Sequence, residues 1–156
     1  MASPTATDKI RSNYLFQVWD HDSGAAAAPI TPDAGTTVRS VDMRDYSDFA
    51  VIGCTTVMGG AGITLLEIVA SDASDISTNI TQIKTSGVLV ADALCDWAIV
   101  ACTAAEVAQE GSDAGVDLRY VAGRITCDNA GDEAVVVYFA IPNRPHLDLT
   151  AASTIS

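Results

Sequence analysis

Basic residues are scarce in this chain. Its 156 residues carry 8 Lys and Arg against 20 Asp and Glu, a net charge of −12 at pH 7. A nucleic-acid binder needs a basic footprint for the phosphate backbone, and an anionic membrane surface asks for the same. Neither is an expected partner. Glutamate is rarer still: sixteen of the twenty acids are Asp. Asp favours turns and caps where Glu favours helices, so the acid belongs mostly to loops. Aromatics make up only 6%, so the core must be built from small and β-branched side chains. No apolar run reaches the roughly 18 residues of a membrane span. No basic start followed by an apolar stretch marks a secretory leader. Synthesis in a cytoplasm is the expectation. The four cysteines, Cys54, Cys95, Cys102 and Cys127, form neither C-x-x-C nor a paired zinc spacing. Each sits in or beside an apolar run, which reads as a buried thiol rather than a disulfide partner.

Apolar residues make up 49% of the sequence, which excludes general disorder. The length fits one domain, able to bury roughly 70% of its unfolded surface without staples. The most informative stretch runs from Val38 to Ser71. Phe49, Val51 and Gly53 alternate with Ala50, Ile52 and Cys54; after Met58-Gly59-Gly60-Ala61-Gly62 a second apolar alternation runs from Ile63 to Ala70. Successive strand side chains point to opposite faces, so each arm buries one face fully and the other partly. The glycines suit a tight connection, and the expectation is a β-hairpin.

Further strand candidates are Ile10–Trp19, Thr37–Met43, Ile80–Lys84, Val88–Val90, Trp97–Cys102, Leu118–Cys127 and Glu133–Ile141. The last is apolar on both faces and stops at Pro142, which cannot donate to a ladder. Asp20–Thr36 reads as a loop. Thr103-Ala104-Ala105-Glu106 has the form of a capping box, predicting a short helix over Ala104–Gln109 that stops near Gly111. About eight short strands separated by turn signals predict an all-β fold, an antiparallel β-sandwich or jelly roll. Residues 1–9 read as an N-terminal arm, 10–141 as the sandwich and 142–156 as a C-terminal tail.

No chemical constellation stands out. The only histidines are His21 and His146. Asp20-His21-Asp22 reads as a polar loop cluster, and no H-E-x-x-H or G-x-S-x-G pattern accompanies it. Asp72 with Asp75 and Asp128 with Asp132 read as turn-forming acids, since the Ca²⁺-loop pattern with its distal Glu is lacking. Gly59, Gly60 and Gly62 do not make a phosphate loop, as no Lys-Ser/Thr and no helix follow. Trp19 and Trp97 read as core residues, with stacking on sugar as the rival role. Arg119 and Arg124 fall on opposite faces of one strand and need either a salt bridge or a partner subunit. The expectation is a protein without catalysis, metal or cofactor.

Two segments resemble the small β-rich proteins encoded beside major capsid genes in tailed bacteriophages. One runs from Val41-Asp42-Met43 to Asp72-Ala73-Ser74-Asp75, strand, glycine turn, strand and polar turn. The other runs from Asp117-Leu118-Arg119-Tyr120-Val121 through the last strand to Asn143-Arg144-Pro145-His146. There an R-Y-V strand is expected to pair with the last strand. The resemblance implies a capsid decoration or cement protein of jelly-roll type, a virion protein on the outer capsid surface. Its partners would be the major capsid protein and copies of itself, with a trimer suggested by the local threefold sites of capsids. Polar arms that order on binding suit such a role. The expected contact residues are Pro4, Lys9, Ile10 and Arg11 in the arm and Arg144, Pro145, His146 and Leu147 in the tail. The alternative is a carbohydrate- or host-receptor-binding module of a virion, with Trp19 or Trp97 as platform.

Overall fold

Alternation decides the long strands. The computed structural model describes residues 15–22, 28–29, 40–57, 62–89, 97–127 and 132–142, with backbone alone for 15–22 and 28–29. In β4 (Tyr46–Val57) Phe49, Val51, Gly53 and Thr55 face inward and Ala50, Ile52 and Cys54 outward. In β9 (Glu133–Pro142) Ala134, Val136, Tyr138 and Ala140 face inward. Both follow the two-residue period of a pleated strand. The other strands are β1 (Leu15–Asp22), β2 (Ala28–Pro29), β3 (Val41–Asp42), β5 (Ile63–Ser71), β6 (Thr81–Thr85), β7 (Trp97–Thr103) and β8 (Tyr120–Cys127).

One antiparallel sheet has the order β1-β9-β4-β7, the other β2-β8-β5-β6. β3 also pairs with β8, on the edge that β2 uses: Pro29 lies opposite Arg124 and Val41 opposite Val121, while β5 holds the other edge. β2 and β3 therefore act as one interrupted strand. Counted so, the first strand lies beside the last, the second beside the second-last, the third beside the third-last, and the middle two beside each other. That is the winding of a jelly roll, and the fold is an antiparallel β-sandwich of that type.

The winding corrects the hairpin reading. β4 and β5 lie in different sheets, and so do β8 and β9. Both connections, one with its glycines and one with Asn129 and Gly131, therefore join strands of different layers, as a corner does. A corner and a hairpin make the same demand on sequence, permissive φ between two apolar alternations, so the local signal does not separate them. Pairing resolves it: β4 is held on both edges, by β7 and by β9. At the corner Gly62 has φ +79°, and a Cβ there would come within 2.8 Å of the Thr55 side chain. Thr55 Oγ1 accepts a hydrogen bond from the Ile63 N–H. Among the described connections only β5 to β6 turns back within one sheet.

That loop, residues 72–80, holds a residue the sequence reading passed over. Ile76 adopts φ +53° and is 2% exposed. It packs on Val69 and Ala122 in a small cluster on the outer face of the β5–β8 sheet. The main core lies between the sheets and includes Phe49, Leu66, Ile68, Val121, Ile125 and Tyr138. Phe49 and Tyr138 meet edge-to-face, with ring centroids 4.9 Å apart. Tyr138 Oη accepts a hydrogen bond from the Gly123 N–H, tying β9 to the opposite sheet.

The helix, α1 (Ala104–Ala114), forms with the expected capping box: Thr103 Oγ1 accepts from Glu106 N–H, and the Glu106 carboxylate accepts from Thr103 N–H. It runs past the expected stop to a left-handed Gly115 cap. Gly111 is a close approach inside the helix, where a Cβ would lie 2.7 Å from the Val116 carbonyl. Two further differences are local. Asp20–Asp22 belong to β1, opposite Val135, Ala134 and Glu133. Val88 and Leu89 form no strand, although Leu89 N–H donates to the Thr64 carbonyl.

Candidate interaction surface

A two-layer sandwich has one interior, yet β4, β7 and β9 are apolar on both faces. Their register places the outward residues in rows. Cys54 stands between Trp97 and Val135, Ile52 between Ile99 and Val137, and Ala50 between Ala101 and Phe139. The fourth row, Asp48 between Thr103 and Ile141, ends the patch with a carboxylate. Trp97 is 68% exposed and Ile99 52%, values far above those of a core side chain. The reading of Trp97 as core is thus corrected; the Trp19 side chain lies outside the described residues.

At the Asp48 end the face deepens into a depression of about 270 Å³. Ala50, Ala101, Phe139 and Ile141 are among its walls, and Asp48, Thr103 and Glu106 line it with polar groups. Glu106 is engaged: Lys84 Nζ lies 2.7 Å from its Oε1 and Thr103 N–H donates to its Oε2. The Lys84 hydrogen bond, then that from Thr103, holds the Glu106 carboxyl below its usual range. Asp48 accepts the Ser47 hydroxyl on Oδ2. The nearby Cys102 thiol is pushed up to about 12, chiefly by burial, which favours the protonated thiol at neutral pH. At the far end of the face stands the exposed Glu133.

The charges elsewhere are arranged inwardly. All four described basic residues are ion-paired within the chain. Arg44 and Arg119 meet Asp42, Lys84 meets Glu106, and Arg124 meets Glu67. Arg124 and Glu67 form a two-pronged pair, with contacts of 2.8 and 3.0 Å, across β8 and β5. Arg119 also lies over the Tyr120 ring. The two arginines therefore take the salt-bridge role of the two considered. The Asp-rich loop is turn chemistry. Asp72 accepts from Thr78 and Asn79, which hold its carboxyl low, and Asp75 accepts from Ser77.

The expected contact residues Pro4, Lys9, Ile10, Arg11, Arg144, Pro145, His146 and Leu147 lie outside the described residues, as do Cys95 and Asp128. The side chains of Asp20, His21 and Asp22 do as well. Among the described residues no group of three or more His, Cys, Asp or Glu is placed to hold a metal, and no helix is long and apolar enough to cross a membrane.

Sequence reasoning missed the outer face of β7, β4 and β9. The signal was present in Glu133–Ile141, apolar on both faces. With only one interior to fill, one of those faces had to be left over. No protein-family model matches the chain, and the search of curated proteins finds no match.

Proposed function

We propose that the chain is a virion structural protein without enzymatic activity. On this reading it is a decoration or cement protein that binds the outer surface of a tailed-phage head and stabilises it through contacts with the major capsid protein and with copies of itself. The observation that carries the reading is the apolar outer face of β7, β4 and β9, centred on Trp97, Ile99 and Ile52. Contiguous apolar surface on a soluble fold marks an interaction site. Burying side chains of this size contributes about 1.5–3 kcal/mol each, and repeated copies on a lattice multiply modest affinities. The jelly roll also supports the reading, by analogy only, since capsid and lectin domains share it. The test is co-sedimentation with empty phage shells. Wild type should pellet with shells, and the double variant Trp97→Ser, Ile99→Ser should stay in the supernatant. Equal pelleting of both, or of neither, would count against the reading.

Trp97 also favours a second reading, the carbohydrate- or host-receptor-binding module. An exposed indole on a flat sheet is a stacking platform for a sugar ring. Glycan titration followed by tryptophan fluorescence separates the two. A saturable change lost in Trp97→Ser supports sugar binding, and an unresponsive spectrum supports the structural role.

A further inference from the structure

Resting on the reading of this face as a docking surface, we infer that its occupant is a protein partner whose apolar contact is flanked by Lys or Arg, with one of those cations received at Asp48. The argument is charge complementarity. Each described cation of the chain is already engaged by a carboxylate. With those cations matched locally, what this face offers a partner is apolar surface and acid, on a chain of net charge −12. The face shows this in small: its centre is uncharged, and Asp48 and Glu133 stand at its two ends.

The depression fits a basic side chain. Lys and Arg lay their methylene stems on apolar surface and keep the charged head at a polar edge. Here the stem would rest on Ala50, Ala101, Phe139 and Ile141, and the head would reach the lip. Glu106 already serves Lys84 and the helix cap, which leaves Asp48 as the acceptor. Its one hydrogen bond among the described residues comes from Ser47 and uses Oδ2. An arginine fork matches a carboxylate better than an ammonium does. A second copy docked face to face would bring the same acids to the rim and no unengaged cation from its described residues. Like charges across a rim oppose association, so a second copy is not the occupant of this face.

The experiment is a titration of the intact ¹⁵N-labelled protein with n-hexylguanidinium, with hexanol and hexanoate as controls carrying the same tail. The guanidinium should give saturable shifts at the amides of Ala50, Ala101 and Thr103. Its binding should be about fivefold tighter than that of hexanol, the scale of a solvent-accessible charge contact, and hexanoate should bind weakest. In Asp48→Asn the guanidinium should fall to the level of hexanol while the tail still binds. Equal binding of cation and anion, or shifts confined to other residues, would overturn the inference. So would self-association in sedimentation velocity that Trp97→Ser with Ile99→Ser abolishes, since it would give the face to a second copy. The probe needs no shell, so failed co-sedimentation with an intact probe response would sink the decoration reading alone.

Discussion

Tyr138 shows how much one side chain carries in this sandwich. Its ring is fully buried against Phe49 and its hydroxyl accepts the Gly123 N–H of the facing sheet. Burial also raises the phenol pKa, so the group stays neutral throughout the working range. Tyr138→Phe keeps the ring and leaves Gly123 N–H without that acceptor. Urea unfolding should show a loss of about 1–3 kcal/mol. The Glu67–Arg124 pair tests a different balance, because Glu67 is 4% exposed. Arg124→Met strands a buried carboxylate and should cost about 3–5 kcal/mol, whereas Glu67→Leu with Arg124→Met should restore most of it. Ile76 is instructive for legibility. A β-branched residue at φ +53° is strained by about 1–3 kcal/mol, and burial of the side chain on Val69 and Ala122 offsets that. Within Asp72–Ser77 the sequence displays only turn formers around it, so nothing local announces a plug.

At the scale of elements, α1 closes the side of the sandwich. It follows β7 of one sheet, and its Glu106 grips Lys84 on β6 of the other. The sign of the pH dependence follows from the two shifts. Glu106 titrates below its ordinary 4.5, so its contribution is complete above that pH and is lost as pH falls through the lowered value. Lys84 titrates above its ordinary 10.5, so its contribution is complete below that pH and is lost as pH rises through the raised value. The bridge thus works between these limits and fails outside both. Glu106→Gln, which can keep the cap, should flatten the acid limb of a plot of urea midpoint against pH. An unchanged acid limb would remove the bridge from the account. The helix start was legible because a capping box is a local device. Its end was not, since Gly111 is demanded by the neighbouring Val116 and Leu118, not by the helix itself. The strands were legible by alternation. Their partners were not, because β4 and β5 are separated by a corner whose sequence also suits a hairpin.

The whole molecule explains why the candidate surface escaped the sequence reading. Outer and inner residues of β4 and β9 are chemically alike, and only the assembly of two layers decides which set meets water. Cys54 and Val51 are both apolar in sequence; one stands beside Trp97 outside, the other inside. Exposure gives a clean check on that division. Trp97→Ser and Ile99→Ser, taken singly, should move the unfolding free energy by no more than about 0.5 kcal/mol, while Val100→Ala, one residue away and facing inward, should cost about 1–3 kcal/mol. A large loss from the outer pair would mean the face is already covered in the free protein.

The pairing of first strand with last has a mechanical corollary. Leu15 lies opposite Ala140, so the entry to β1 and the exit from β9 are at the same end of one ladder. Tension applied through those two points peels the β1–β9 rungs open in succession instead of shearing them together. Tethers there would be the weak direction of the sandwich. A load carried broadside, through the flat of β7, β4 and β9, leaves that seam unstressed.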